Sequence, residues 1–113
     1  MHELGIMFHV VQQVTQIVED NQLTKVDTLV LQVGEYSSVI PKYLEACYPA
    51  AVDGTKLEET KLKIEILPAN GLCCQCGTVF NLKRNNETCP DCGAGEFEVL
   101  GGREFFIKEI IAR

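Results

Sequence analysis

The sequence predicts an α+β fold in which two helices and a three-stranded sheet are interrupted by a cysteine-rich insert. Residues 2–20 have helical hydrophobic spacing, and three later segments have the composition or alternation of strands. Five of the six cysteines fall within residues 73–92, between the third and last of these regular regions. The last strand has no nearby partner in the sequence, so we expect it to complete the sheet that forms before the insert.

The first predicted helix runs from His2 to about Asp20. At about 100° per residue, one stripe of this helix is apolar, made of Leu4, Met7, Val11, Val14 and Val18. A strand follows over Lys25–Val33, where β-forming residues dominate, and Gly34 closes it.

Pro41 suits the first turn of a second helix, in which Cys47 is interpreted as a small buried hydrophobic residue. Pro49 is expected to break or kink this helix near Tyr48. The next strand, Lys61–Leu67, alternates between polar and apolar residues, with three side chains predicted to face inward: Leu62, Ile64 and Ile66.

Two breaks, Pro68–Gly71 and Gly101–Gly102, bound the cysteine-rich insert, which itself contains a short β-like run at Phe97–Leu100. The final strand covers Glu104–Ala112. We therefore predict one domain made of residues 1–70 plus 101–113 and an inserted domain over residues 71–100. Because the insert precedes a strand of the first sheet, its conformation is expected to influence the first domain.

Composition favours a protein of the cytoplasm without a membrane or nucleic-acid partner. The 113 residues are 46% hydrophobic and 23% charged, with a formal net charge of -6. Proteins that bind nucleic acid through phosphate contacts are usually basic. No stretch approaches the roughly 18 apolar residues of a membrane span, and the start lacks the pattern of a signal peptide.

The cysteines predict a four-thiolate zinc site. Cys73 and Cys76 form one Cys-x-x-Cys pair and Cys89 and Cys92 a second, 12 residues later, each followed by glycine. Two such turns can direct four thiolates at one ion in the closed tetrahedron of a structural zinc site, which leaves no position for metal-assisted catalysis. Cys74 lies too close to Cys76 for the usual turn and is interpreted as a spare thiol.

Other uses of the cysteine pairs stay open at this point. A redox pair, a disulfide pair and a rubredoxin-like iron site are compatible with the same spacing. A zinc ribbon that binds nucleic acid or a polymerase is a rival function, although the insert is acidic.

The first three residues form a second candidate metal site. The α-amine of Met1, the amide nitrogen of His2 and its imidazole can form fused chelate rings, with Glu3 as a fourth donor through its amide nitrogen or carboxylate. Such coordination suits Ni(II) or Cu(II). The alternative is a solvated helix start, in which the negative charge of Glu3 is stabilised by the positive end of the helix dipole. His9, about 10.5 Å further along a helix, is expected to be solvated and separate from this site.

With both features side by side, the chain resembles the hydrogenase nickel-incorporation family, HypA/HybF. The resemblance runs almost end to end, and it rests on the Met1-His2-Glu3 start, the Val33-Gly34-Glu35 strand end, the Gly54-Thr55 turn, the strand from Leu62 to Ile66, the two Cys-x-x-Cys-Gly knuckles and the apolar C-terminal strand. Cys74 and Pro49 depart from the family pattern.

This resemblance implies a nickel metallochaperone, not an enzyme, for the maturation of NiFe hydrogenase, and some family members also serve urease. It implies that Ni(II) is a transient cargo, with His2 as its essential donor and Glu3 in support, and that Zn(II) is structural. The implied partners are the nickel-handling GTPase of the pathway and the hydrogenase large-subunit precursor. The oligomeric state, a homodimer included, stays open.

Overall fold

The computed structural model describes residues 2–113, which form two helices and two three-stranded sheets. In chain order the elements are α1 (Glu3–Asp20), β1 (Val26–Gly34), α2 (Pro41–Val52), β2 (Lys61–Leu67), β3 (Asn70–Cys73), β4 (Val79–Asn81), β5 (Phe97–Gly101) and β6 (Phe105–Ala112). The predicted α+β class, with two helices, a three-stranded sheet and a cysteine-rich insert, is confirmed.

The first sheet has the strand order β2-β1-β6. β1 pairs in parallel with β2, from Thr28 opposite Lys61 to Gly34 opposite Leu67. β6 pairs with β1 antiparallel, so that Val33 lies opposite Phe105. The last strand therefore completes the sheet begun before the insert, as its isolation in the sequence predicts.

Both helices pack on one face of this sheet. The core joins the apolar stripe of α1 to the inward side chains of β1 and α2, among them Met7, Val14, Leu29, Leu31, Val33 and Leu44. The stripe differs from the prediction at its first turn, because Leu4 is 38% exposed whereas Glu3 is 5% exposed. Ile66, predicted to face inward, is half exposed near the end of the edge strand β2.

Pro49 does not break the second helix as predicted, whereas the alternative, a kink near Tyr48, stays a prediction. α2 continues through this residue to Val52. Proline removes one N–H, the donor to the Glu45 carbonyl, but the three residues after it keep theirs. Ala51 and Val52 are buried in the core, and their packing holds the last turn in place.

The second sheet, β4-β3-β5, is antiparallel and surrounds a small core of its own. Of its three strands the sequence predicts only β5, since the central strand β3 and the outer strand β4 are four and three residues long. The five buried residues of this core are Ala69, Cys73, Phe80, Leu82 and Cys89. The chain is elongated, with principal extents of 54 × 27 × 16 Å. No helix within residues 2–113 has the length and apolar character to cross a membrane.

Candidate metal centres

Two turns with the same hydrogen-bond pattern present the four cysteines. In the first, the Cys73 N–H donates to the Thr78 carbonyl at 2.9 Å and the Gly77 N–H donates to the Cys73 carbonyl at 3.0 Å. Gly77 has φ 77°, a conformation that favours glycine. The backbone N–H of Cys76 also points at the Cys73 sulfur, 3.5 Å away.

The second turn repeats this geometry sixteen residues later. The Cys89 N–H donates to the Ala94 carbonyl and the Gly93 N–H to the Cys89 carbonyl, each at 2.9 Å. Gly93 also has φ 77°. Each Cys-x-x-Cys-Gly segment is thus one structural unit, and the glycine after the second cysteine is required by its backbone.

The two turns bring their four sulfurs into one cluster. All four ligand atoms of Cys73, Cys76, Cys89 and Cys92 lie within 4.8 Å of one another. The Cys73 and Cys92 sulfurs are 3.5 Å apart, and those of Cys76 and Cys89 are 3.6 Å apart. A zinc–sulfur length of about 2.3 Å corresponds to edges of about 3.8 Å in a regular tetrahedron. The cluster therefore fits structural zinc.

The electrostatics of the cluster also favour a cation. The Cys76 N–H lowers the pKa of the Cys73 thiol to about 6, and the Gln75 N–H acts in the same direction. The Ala94 N–H favours the Cys92 thiolate, but contacts with the neighbouring sulfurs prevail and raise the pKa of Cys92 to about 12. Four thiolates so close together oppose one another's ionisation, and a divalent ion at their centre removes that opposition.

Two residues that sequence reasoning missed support the cluster from outside. The Cys76 thiol donates to Thr78 Oγ1 at 3.2 Å, and the Thr78 hydroxyl donates to Asp91 Oδ2 at 2.8 Å. Asp91 lies between the cysteines of the second turn, so this contact ties the two turns together. The sequence shows a hydroxyl two residues after Cys76, which is one sign of this contact. It does not show the second half of the contact, because Asp91 lies 13 residues further along the chain.

The remaining two cysteines lie outside the cluster. Cys74 is exposed, and its N–H donates to the Glu96 carbonyl at 3.1 Å, just beyond the paired ends of β3 and β5. Cys47 is half-buried and packs against the first core. Among residues 2–113, the four-cysteine cluster is the one group of three or more such side chains placed to hold an ion.

The structure places the side chains of the two described candidate donors at the chain start, His2 and Glu3, in different surroundings. His2 is exposed at the N-cap of α1, and its carbonyl accepts the Ile6 N–H at 2.9 Å. Glu3 points into the protein, where its Oε2 accepts the Ile40 N–H at 3.4 Å. Burial raises the pKa of this carboxyl, but hydrogen bonds from the Glu3 and Ile40 N–H groups more than offset it, so the pKa is lowered. Met1 lies outside the described residues.

His2 opens onto a groove of about 620 Å³ between α1 and β6. The groove is mainly apolar, with Ile6 and Val10 on the helix side and Phe105–Ile107 on the strand side. His9 is exposed and lines the same groove one turn beyond Gly5. The two histidines thus share a helix face.

Comparison with known proteins identifies the family. The profile of the family described as "Hydrogenase/urease nickel incorporation, metallochaperone, hypA" matches residues 1–112. The chain belongs to this family. It is 36% identical over 110 residues to the hydrogenase maturation factor HypA of Geobacter sulfurreducens and 34% identical over 110 residues to that of Prosthecochloris aestuarii. Each of these alignments covers 97% of both chains.

Two solution structures confirm the HypA fold. The Ni metallochaperone HypA from Helicobacter pylori is 18% identical, with a TM-score of 0.65 over 99% of this chain and 97% of that one. A second HypA protein is 17% identical, with a TM-score of 0.70 over 100% of this chain and 97% of that one. The protein is therefore a member of the HypA nickel metallochaperone family of hydrogenase maturation, with a four-cysteine centre that fits structural zinc.

Proposed function

We propose that this chain carries Ni(II) on its first residues and delivers it during the maturation of NiFe hydrogenase. The observation that carries the proposal is an exposed His2 at the start of α1, in a HypA-family chain in which four of the six cysteines form a separate cluster. The first N–H groups of a helix have no acceptor within it. A metal that displaces the protons of these amides can therefore bind their nitrogens without breaking the hydrogen-bond ladder inside α1.

In the proposed nickel site, Met1 supplies its α-amine and His2 its amide nitrogen and imidazole. Glu3 completes the square-planar set through its amide nitrogen. Its carboxylate, engaged with the Ile40 N–H, fixes the direction in which α1 begins. Glu3 would thus act on nickel through the backbone and on the site's orientation through its side chain.

The proposed zinc site consists of Cys73, Cys76, Cys89 and Cys92. When bound, zinc supplies the cohesion that the small second core lacks. We further propose two units, residues 1–70 plus 101–113 and residues 71–100. The radius of gyration of 17.7 Å supports this division, since one compact domain of this length has about 13 Å.

The remaining features of the proposal rest on family membership, on the chemistry of the sulfur site and on net charge. The chain would act as a carrier in the cytoplasm and not as an enzyme, because a closed sulfur site offers no open coordination position. Its partners would be the nickel-handling GTPase and the hydrogenase large-subunit precursor, with urease maturation as a second destination in the family. The net charge of -6 argues against a nucleic-acid partner.

Calorimetric titration of Ni(II) into untagged, zinc-loaded protein tests the nickel site. We expect micromolar affinity, about -8 kcal/mol, because a carrier must release its cargo. His2→Ala should abolish this binding, and lowering the pH should weaken it, because the donors must lose protons. An extension ahead of Met1 should weaken it as well, since it removes the α-amine.

His9→Ala is the matched control, because His9 is an exposed histidine that lines the same groove. It should bind Ni(II) as the wild type does. If His2→Ala retained wild-type affinity, or if His9→Ala lost it, the proposed nickel site would be wrong.

A further inference from the structure

The loop between β1 and α2, residues 35–40, contacts both the four-cysteine unit, residues 71–100, and the chain start that would bind nickel. We propose that Glu35 and Tyr36 are positioning residues through which the four-cysteine unit sets the geometry of the nickel-binding chain start. This inference rests on the proposed function and names the route by which the two sites communicate.

Glu35 connects the first sheet to the second. Its Oε1 accepts the Ala69 N–H at 3.0 Å and the Asn81 side-chain amide at 3.3 Å. Ala69 leads into β3 and Asn81 ends β4. The carboxylate therefore holds both the linker and an outer strand of the second sheet.

Tyr36 reaches further into the same unit. Its ring packs against the core that contains Cys73 and Cys89, and its hydroxyl donates to Glu87 Oε2 at 2.7 Å. Glu87 precedes Cys89 by two residues and has φ 60°, an unusual backbone for a non-glycine residue. A change in the second cysteine turn would consequently be felt at Tyr36.

The other end of the loop contacts the chain start. The Ile40 N–H donates to Glu3 Oε2 at 3.4 Å, and Glu3 follows His2 directly. Ile40 is the N-cap of α2 and makes no side-chain cap. The Glu3 carboxylate accepts the N–H of this N-cap residue, as the glutamate of a capping box does within one helix. Glu3 is thereby held to α2 as well as to its own helix.

The loop is too short and too well bonded to absorb a displacement at one end. The Ser37 N–H donates to the Gly34 carbonyl and the Val39 N–H to Ser37 Oγ, each at 2.9 Å. The Tyr36 N–H donates to the Gly102 carbonyl at 2.7 Å. Movement of Glu35 and Tyr36 with the second sheet would therefore shift Ile40, and with it Glu3.

Nickel titration of zinc-loaded variants tests this route. Glu35→Ala should weaken Ni(II) binding by about three- to tenfold, the scale of one net hydrogen bond, while zinc content and helical circular dichroism stay unchanged. Glu35→Gln keeps an oxygen acceptor at this position and should restore near-wild-type affinity. In a Glu3→Ala background, Glu35→Ala should have less than about a twofold effect, because residues that act through one another are not additive.

Glu65→Ala is the matched control. Glu65 also accepts two side-chain hydrogen bonds, from Gln32 at 3.3 Å and Lys108 at 2.8 Å, but both lie within the first sheet. This variant should leave nickel affinity unchanged. An equal loss in Glu65→Ala and Glu35→Ala would show a general effect of destabilisation and overturn the proposal, as would wild-type affinity in Glu35→Ala.

Tyr36→Phe provides a second test should Glu35→Ala fail to fold, since it removes only the hydroxyl. We expect a weaker Ni(II) affinity and a shifted amide resonance for Ile40. If neither the affinity nor the resonance changed, the proposed route would be refuted. His2→Ala distinguishes failure of the proposed nickel site from failure of the proposed connection through the loop. If it binds nickel normally, the proposed nickel site itself fails. If it loses nickel while the loop variants bind normally, only the connection fails.

Discussion

At the scale of single residues, strand alternation decides which of two adjacent thiols joins the cluster. Cys73 is the last residue of β3 and lies on the same face as the buried Gly71. Successive side chains of a strand point to opposite faces. Cys74 is accordingly exposed, which supports the assignment of Cys73 as the ligand and Cys74 as the spare thiol.

Serine substitutions of these neighbours should therefore differ sharply. Cys74→Ser should keep about one zinc per chain, because the four clustered sulfurs remain. Cys73→Ser should lose most of its zinc and expose the second core, since the hydroxyl is a poor zinc ligand. Metal analysis after gel filtration measures both outcomes. Full zinc in Cys73→Ser together with loss in Cys74→Ser would reverse the assignment.

Glu3 shows why part of the site was beyond prediction. Helical periodicity correctly finds Met7, Val14 and Val18, but it places Leu4 on the buried stripe, where the structure has Glu3. The periodicity records only the order of apolar residues within one helix. The Ile40 N–H that engages Glu3 belongs to a helix 37 residues away, and no local pattern reveals such a partner.

At the scale of elements, the junction of the two sheets depends on two glycines. A Cβ on Gly34 would collide with the Gly102 carbonyl, and one on Gly102 would collide with the Ala69 backbone. Gly102 also has φ 103°, which other residues avoid. The end of β1, the linker before β3 and the start of the β6 segment can approach closely only because these side chains are absent.

Alanine at either junction glycine should destabilise the protein. We expect Gly34→Ala to lower the free energy of unfolding by about 1–3 kcal/mol through overpacking, and Gly102→Ala by at least as much because strain is added. Urea denaturation measures both. Gly95→Ala is the control, since its Cβ would meet nothing within 4 Å, and its effect should stay within about 0.5 kcal/mol. Equal effects at all three glycines would contradict the packing argument.

The same scale explains which elements were predictable. Long segments with strong patterns, α1 and β2, lie where periodicity places them. β3 and β4 are too short to show a pattern, and hydrogen bonding to β5 and packing around the cysteines define them. At Pro49 a strong local signal gives the wrong helix end, because burial of Ala51 and Val52 outweighs the helix-breaking preference of proline.

At the scale of the whole molecule, two cores of very different size share one chain. Within residues 2–113 the first contains fifteen buried residues, whereas the second contains five, of which Cys73 and Cys89 belong to the sulfur cluster. A unit of about thirty residues with so small a core usually needs a metal or a disulfide to fold. We expect the first core, which is three times as large, to form without a metal.

Removal of zinc should therefore unfold residues 70–101 selectively. In hydrogen exchange with and without a strong chelator, amides of β3, β4 and β5 should lose protection while those of α1 and β1 keep it. β6 should stay paired with β1, because replacing a short connection by a flexible loop of about thirty residues costs only about 2 kcal/mol of closure entropy. The first unit would thus be weakened and not unfolded. Simultaneous loss of protection in β1 and β3 would instead show one cooperative unit, in which the sulfur-bound ion sustains the entire fold.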